Sequence, residues 1–213
     1  MRIVAVKGFS NTGKTTTVTE LVKELRRRGY TVGTIKDIHY EGYRADTPGT
    51  DTFRHMESGA RRVTALGLRE TAVIAGRRMR IEDVLKYYKE DFVIIEGDCG
   101  LMCPAVITGR TAEDVDRRMC EEAVAVSGVI SEAMEEYRGL PVINGRKEVE
   151  RLADIVERAT EKQEEKREVQ LTIDGREIPM VPFVKKTLEN VVTGAVKALD
   201  GYEEGKEIVI RIK

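Results

Sequence analysis

The sequence predicts an α/β protein with a doubly wound, mainly parallel sheet and a small C-terminal ββαβ module. Three observations carry that reading. An apolar, β-branched run ends in a glycine-containing turn and passes into an amphipathic helix; strand and helix patterns then alternate to residue 162; and a charged stretch at 161–168 precedes a change of pattern to hairpin, helix and strand. With 213 residues the chain has room for one main core and an appendage, since domains commonly span ~100–200 residues.

Residues 2–7 (RIVAVK) form a strand of the kind covered on both faces, ended by Gly8. In the helix that follows, Val18, Leu21, Val22 and Leu25 recur at i, i+3, i+4 and i+7, and Gly29 stands where a left-handed residue stops a helix. The basic run 26–28 lies in its last turn, where cations complement the dipole by ~0.3–1 kcal/mol. Strands are expected at 31–35, 63–66, 72–75, 92–95, 105–107, 123–126 and 142–144, with helices at 51–58 and 81–88. A closing helix over 147–161 carries the stripe Val149, Leu152, Ala153 and Val156. Such alternation argues for parallel strands with helices on both faces.

A nucleotide-binding domain is thus expected over 1–162 and an α+β module over 168–213. In the module Val169, Leu171 and Ile173 alternate, Asp174-Gly175 is a hairpin-turn pair, and Ile178 and Met180 resume the alternation. Pro179 and Pro182 end that strand and start a helix with the stripe Val184, Leu188, Val191, Val192, Ala195 and Leu199; Ile208, Ile210 and Ile212 form a last strand. A unit of roughly 45 residues buries little surface by itself. It is expected to dock on the main domain or on a second copy.

Lys plus Arg number 36 and Asp plus Glu 37, a net charge of −1, which gives no long-range attraction for nucleic acid or an anionic membrane. No apolar stretch reaches the ~18–20 residues of a membrane helix, and the N-terminus has no signal-peptide layout, so a cytoplasmic location is expected. The three cysteines do not describe a disulfide framework.

The chemistry-bearing segment is 8–15, GFSNTGKT, which fits G-x-x-x-x-G-K-[ST] and lies between a buried strand and an amphipathic helix. This marks a P-loop NTPase sheet. Gly8 and Gly13 let consecutive N–H groups turn toward phosphate oxygens, and the helix start adds its positive end. The expected nucleotide-binding set is Gly8, Ser10, Asn11, Thr12, Gly13, Lys14, Thr15 and Thr16, with Asn11 and Thr12 acting through backbone only. Lys14 supplies a cation for the β- and γ-phosphates, and Thr15 a hydroxyl for Mg²⁺. Glu96, at the end of the apolar strand in DFVIIEG, is the expected second Mg²⁺ anchor, with Asp98 its rival. Lys7 is expected to end its strand in solvent.

Read with this loop, the segment 46–60 (DTPGTDTFRHMESGA) and the IIEG strand end, the chain resembles the molybdopterin-guanine dinucleotide biosynthesis protein B family. The matching marks are GKTT at 13–16, Ile35-Lys36 followed by His39, Asp46 with Pro48-Gly49 and Asp51-Thr52, and Glu96-Gly97; VSG at 126–128 and LPV at 140–142 are also similar. The resemblance covers about residues 1–160, and the module resembles an extension of archaeal-type members. Two positions depart: Asp98-Cys99-Gly100 stands where the family commonly has an aromatic and a basic residue, and Asp37 replaces its first loop histidine. The resemblance implies GTP binding with Mg²⁺, at most slow hydrolysis, and assistance to the molybdopterin guanylyltransferase in making a molybdenum or tungsten cofactor. It also brings Gly49, Asp51 and Thr52 toward the nucleotide, in a loop expected to respond to it. A homodimer is expected. The residues alone do not specify guanine, since no N-K-x-D run occurs and Asn144 is the one side chain considered for the base.

Two other readings use the same loop. Cys99, Cys103 and Cys120 with His39 or His55 would suit Zn²⁺ in a metal-delivery GTPase, although buried free thiols are the commoner outcome. A small-molecule kinase would need an arginine-bearing lid, for which Arg61, Arg62, Arg77, Arg78 and Arg80 are candidates. Certain dimeric P-loop ATPases carry a lysine five residues before the loop lysine that reaches across an interface; here that residue is Phe9.

Overall fold

The computed structural model describes residues 1–164, 169–173, 175–197, 199 and 208–209. Strand β1 (Arg2–Gly8) is central in a five-stranded parallel sheet with β2 (Val32–Lys36), β5 (Phe92–Glu96), β6 (Ala105–Thr108) and β7 (Ala123–Ser127), ordered β2-β5-β1-β6-β7. Alternate residues are apolar on both faces, as the unbroken hydrophobic runs predicted. Val4, Val6, Phe92 and Ile94 pack against Leu21 and Leu25 of α1 (Lys14–Arg27) and Leu152 and Val156 of α5 (Val149–Glu164). Ala5, Val93, Ile95 and Ile107 face the other way, onto Val115 of α4 (Ala112–Asp116) and Ile130. The chain leaves β1 for one side of the sheet and later crosses to the other, which makes the C-terminal end of β1 the topological switch point where ligands of such sheets commonly bind.

Two expected sheet strands lie elsewhere. β3 (Arg62–Leu66) and β4 (Thr71–Ala75) form an antiparallel hairpin outside the main sheet. The connection 67–70 is too short for the crossover that parallel pairing needs. The strand expected at 142–144 shrinks to one parallel bridge, Val126 to Val142. Pro141 has no N–H to extend a ladder, and the Val142 amide donates instead to the Glu135 carbonyl at 2.8 Å. Before it, β8 (Glu136–Tyr137) pairs with β9 (Leu140–Pro141). Helices α2 (Asp51–Glu57) and α3 (Ile81–Leu85) are shorter than expected, and the single-turn α4 has no periodicity by which to be foreseen.

The chain divides into two compact units, Met1–Thr160 and Glu161–Lys213. Within the second, β10 (Thr172–Ile173) and β11 (Arg176–Glu177) form a hairpin, and α6 (Pro182–Lys197) begins at the proline that was expected to start it. The last strand, with Ile208, Ile210 and Ile212, falls largely outside the described residues. No helix among the described residues is long and apolar enough to cross a membrane.

The basic run closing α1 does more than complement a dipole. The buried Glu24 carboxylate accepts from Arg27 at 2.7 and 2.8 Å and from Arg28 at 2.7 Å, and Arg28 continues to Asp154 and Glu157 of α5 at 2.7 and 2.8 Å. The Arg27 bonds, joined by those of Arg28, outweigh burial and hold Glu24 at about 2 against an ordinary 4.5. A depressed carboxylate stabilises the folded chain fully above its unfolded pKa and loses that effect as pH falls through the folded one. Glu24→Gln should therefore flatten the acid limb of stability between pH 4.5 and about 2, read from thermal melts at constant ionic strength. An unchanged limb would assign the acid sensitivity to other groups.

Candidate functional site

At the end of β1 the backbone turns through Asn11, with φ 61°, and Gly13, with φ 100°, before α1 begins at Lys14. Left-handed residues interleaved in this way aim successive N–H groups into one concavity. The loop lies against the ends of β6 and β7. A Cβ on Gly8 would come within 2.2 Å of Thr108 Oγ1, and one on Gly128, with φ 90°, within 2.1 Å of the Thr12 carbonyl. The Val129 amide donates to that carbonyl at 3.3 Å.

Thr12 corrects the expectation of a backbone role alone. Its side chain is fully buried, with Oγ1 at 2.9 Å from the Phe9 carbonyl and 2.7 Å from Thr108 Oγ1, which itself reaches the Lys7 carbonyl at 3.1 Å. A buried hydroxyl needs such partners, and here they tie the loop to β6. Asn11 is exposed and adopts a left-handed conformation.

The ionic groups converge from adjacent strands. Parallel pairing sets Glu96 opposite Val6 of β1 and Lys36 of β2. Glu96 is 8% exposed, and its Oε1 accepts from Thr15 Oγ1 at 2.9 Å and Lys36 Nζ at 3.1 Å. Lys14 folds over the loop and donates to the Phe9 carbonyl at 2.5 Å. Burial lowers the Lys14 pKa; Glu96 opposes this, while Lys36 and Arg118 add to it. A hydroxyl and a carboxylate in direct contact are oxygen donors of the kind that Mg²⁺ accepts.

Lys7 does not end in solvent. It is 8% exposed and pairs with Asp98 at 3.1 Å. Burial works to raise the Asp98 pKa, but the Lys7 hydrogen bond and charge hold it below the usual carboxylate range. Asp98 is thereby engaged, which leaves Glu96 as the acid in contact with Thr15.

Gly49 lies on a separate loop and Asp51 and Thr52 open α2; Asp46 organises this turn, its Oδ1 accepting from the Thr47 amide at 2.9 Å and from the Thr50 and Thr52 hydroxyls at 3.1 Å. Thr50, not Asp51, caps α2. Among the described residues no hydrogen bond or ion pair joins this loop to 8–15. Asn144 Oδ1 accepts from the amides of Arg146 and Lys147 at 3.0 and 3.2 Å.

Burial pushes the Cys103 thiol up to about 12 and raises Cys120 as well. Among the described residues no three His, Cys, Asp or Glu are grouped to hold a metal ion, and His39 instead lies 2.8 Å from Asp37. Of the lid candidates, Arg78 binds Asp37 at 2.7 Å, Arg80 binds Asp83 at 3.2 Å, and Arg62 stacks on Tyr87. Two arginines that the sequence reading passed over, Arg117 and Arg118, stack instead on Phe9 of the loop. They follow a five-residue helix, too short to leave a pattern.

Residues 3–132 match the family model described as molybdopterin guanine dinucleotide synthesis protein B. A Methanocaldococcus jannaschii protein described as a molybdopterin-guanine dinucleotide biosynthesis adapter is 25% identical over 233 aligned positions, spanning 100% of this chain and 97% of that one. A Bacillus subtilis protein of the same description is 29% identical over 147 positions, 67% of this chain and 84% of its own. The crystal structure of Bacillus subtilis MobB superimposes with a TM-score of 0.63 at 26% identity, covering 75% of this chain and 98% of that one. A Bacillus stearothermophilus MobB homologue, 24% identical with a TM-score of 0.56, shares the fold. The α/β class with a mainly parallel sheet, predicted from the sequence, is the class of these structures.

Because Gly128 leaves no room for a side chain against Thr12, Gly128→Ala should both destabilise the chain by about 2 kcal/mol or more and disturb the loop. Chemical denaturation gives the first effect, and protection of the 8–15 amides from hydrogen exchange gives the second. A variant with parental values in both would show that the approach tolerates a methyl group.

Proposed function

The chain belongs to the molybdopterin guanine dinucleotide synthesis protein B family, and from that premise we propose that it is a GTP- and Mg²⁺-binding accessory protein. Its role is to assist the transferase that joins GMP to molybdopterin, for a molybdenum or tungsten cofactor, while transferring nothing alone. The observation that carries this reading is the contact of Thr15 with Glu96 beside Lys14, where the left-handed turn at Asn11 and Gly13 enters α1.

In this reading the backbone of Gly8, Ser10, Asn11, Thr12, Gly13 and Thr16 lines the phosphates, and Lys14 exchanges the Phe9 carbonyl for phosphate oxygens. Thr15 and Glu96 would hold Mg²⁺, which when bound neutralises charge on the β- and γ-phosphates. The loop with Gly49, Asp51 and Thr52 has no bond to the phosphate loop among the described residues, so it has freedom to respond to nucleotide and to face the transferase. Guanine recognition rests on family membership. A cytoplasmic homodimer, with no nucleic acid or membrane partner, completes the proposal.

Lys14→Ala should remain folded and bind GTP more weakly by ~2 kcal/mol or more, as a charge-assisted contact is lost. Glu96→Ala should reduce the Mg²⁺ dependence of binding, and both effects are read by calorimetric titration with and without Mg²⁺. In a reconstituted assay GTP should serve better than ATP and raise the yield of guanylylated molybdopterin only when the transferase is present. Unchanged affinity of Lys14→Ala would sink the phosphate site; ATP preference, or no effect on the transferase, would sink the accessory role.

A further inference from the structure

Phe9 is the first residue after Gly8 in the phosphate loop, and both of its polar and aromatic surfaces are engaged by cations. Its carbonyl receives the Lys14 ammonium. Its ring carries the guanidinium carbons of Arg118 at 4.4 Å and Arg117 at 4.8 Å from the centroid. These arginines arrive from the end of α4, which Thr111 caps by accepting from the Asp114 amide and which packs through the fully buried Val115. The guanidiniums are therefore held from two sides, by a fixed helix end and by an aromatic face.

Neither arginine has an acid partner among the described residues. Arg118 Nε is buried and makes no hydrogen bond. The carboxylate whose charge it feels, Asp98, is already paired with Lys7 at 3.1 Å. Other arginines at the ends of the strands differ: Arg78 has Asp37 at 2.7 Å, and Arg110 has Asp114 at 3.3 Å. Arg118 also lies close enough to Lys14 for its charge to act on that ammonium. A buried guanidinium donor without a partner, beside a neighbouring like charge, calls for an anion.

We propose that Arg118, steadied with Arg117 on the Phe9 ring, binds the terminal phosphate of the nucleotide held by residues 8–15, as a second cation supplied by the same chain. The position follows from Lys14. An anion that replaces the Phe9 carbonyl as partner of Lys14 would lie beside Phe9, whose ring carries both guanidiniums. A guanidinium forks onto phosphate through two N–H groups, which an ammonium cannot imitate. Phe9 stands where some dimeric P-loop ATPases place a lysine that crosses an interface, so this chain meets the same charge requirement in cis. The consequence is preference for triphosphate over diphosphate.

The inference rests on the nucleotide reading, and its test separates the two. Full-length parent, Arg118→Ala, Arg118→Lys, Phe9→Leu and Lys14→Ala are titrated with GTP and with GDP at saturating Mg²⁺. Arg118→Ala should lose about tenfold or more in GTP affinity and less than about twofold in GDP affinity, the signature of one charge-assisted contact to the terminal phosphate. Arg118→Lys should recover part of the GTP loss, and Phe9→Leu should lose part of the triphosphate preference by unseating the guanidinium. Equal losses for GTP and GDP in both Arg118 variants would overturn the proposal in favour of a structural role, and no loss in either would overturn it outright. Failure of the nucleotide reading looks different: the parent binds neither nucleotide, or Lys14→Ala binds both as the parent does, and the proposal then falls with that reading.

Discussion

The site depends on how closely the backbone of the 8–15 loop approaches the ends of two other strands. Gly8 lies against Thr108 and the Thr12 carbonyl against Gly128, at separations that exclude a Cβ on either glycine. These contacts press one side of the loop onto the ends of β6 and β7. The buried Thr12 and Thr108 hydroxyls secure this seating without leaving an unpaired donor. On the opposite flank of β1, parallel pairing with β5 fixes Glu96 opposite Val6, so the acid is placed by the same sheet that anchors the loop. Binding groups set by main-chain contacts of this kind need little reorganisation when a ligand arrives.

What was legible in the sequence was what is local. The turn at 8–15 was legible because its glycines, lysine and threonine stand within a few positions of one another, and Glu96 could be placed at the end of an apolar strand. The roles of Thr12, Lys7 and Arg118 were not legible, because their partners are Thr108, Asp98 and Phe9, all about ninety or more positions distant in the chain. Lys7 shows the physical reason well. A lysine at a strand end is ordinarily solvated, and only the crossing of Asp98 over that end makes burial tolerable.

The misplaced strands have a related origin. Short apolar runs read alike whether they enter a parallel sheet or a hairpin, and the distinguishing signal was the length of the connection between β3 and β4. That hairpin buries Val63 but leaves Leu66 and Leu68 exposed, and its apolar pattern did not tell it from a strand of the main sheet. At 142–144 the hydrophobic signal was sound, since Val142 and Ile143 are buried. Burial and ladder pairing are separable, and a proline before Val142 separates them.

Charge at the site follows a logic opposite to that of the whole chain. The net charge of −1 gives no pull on polyanions at a distance. At the C-terminal end of the sheet, however, Lys7, Lys14, Lys36 and Arg118 gather around Glu96 and Asp98, while Asp37 is taken up by Arg78. Lys7 and Asp98 cancel, and Glu96 is shared by Lys36 and Thr15 through one oxygen. Burial makes the remaining positive charge act strongly at short range, while solvent screens it beyond. Such a field selects a compact anion of high charge density over a nucleic acid backbone, which would need a basic face extending well past the loop.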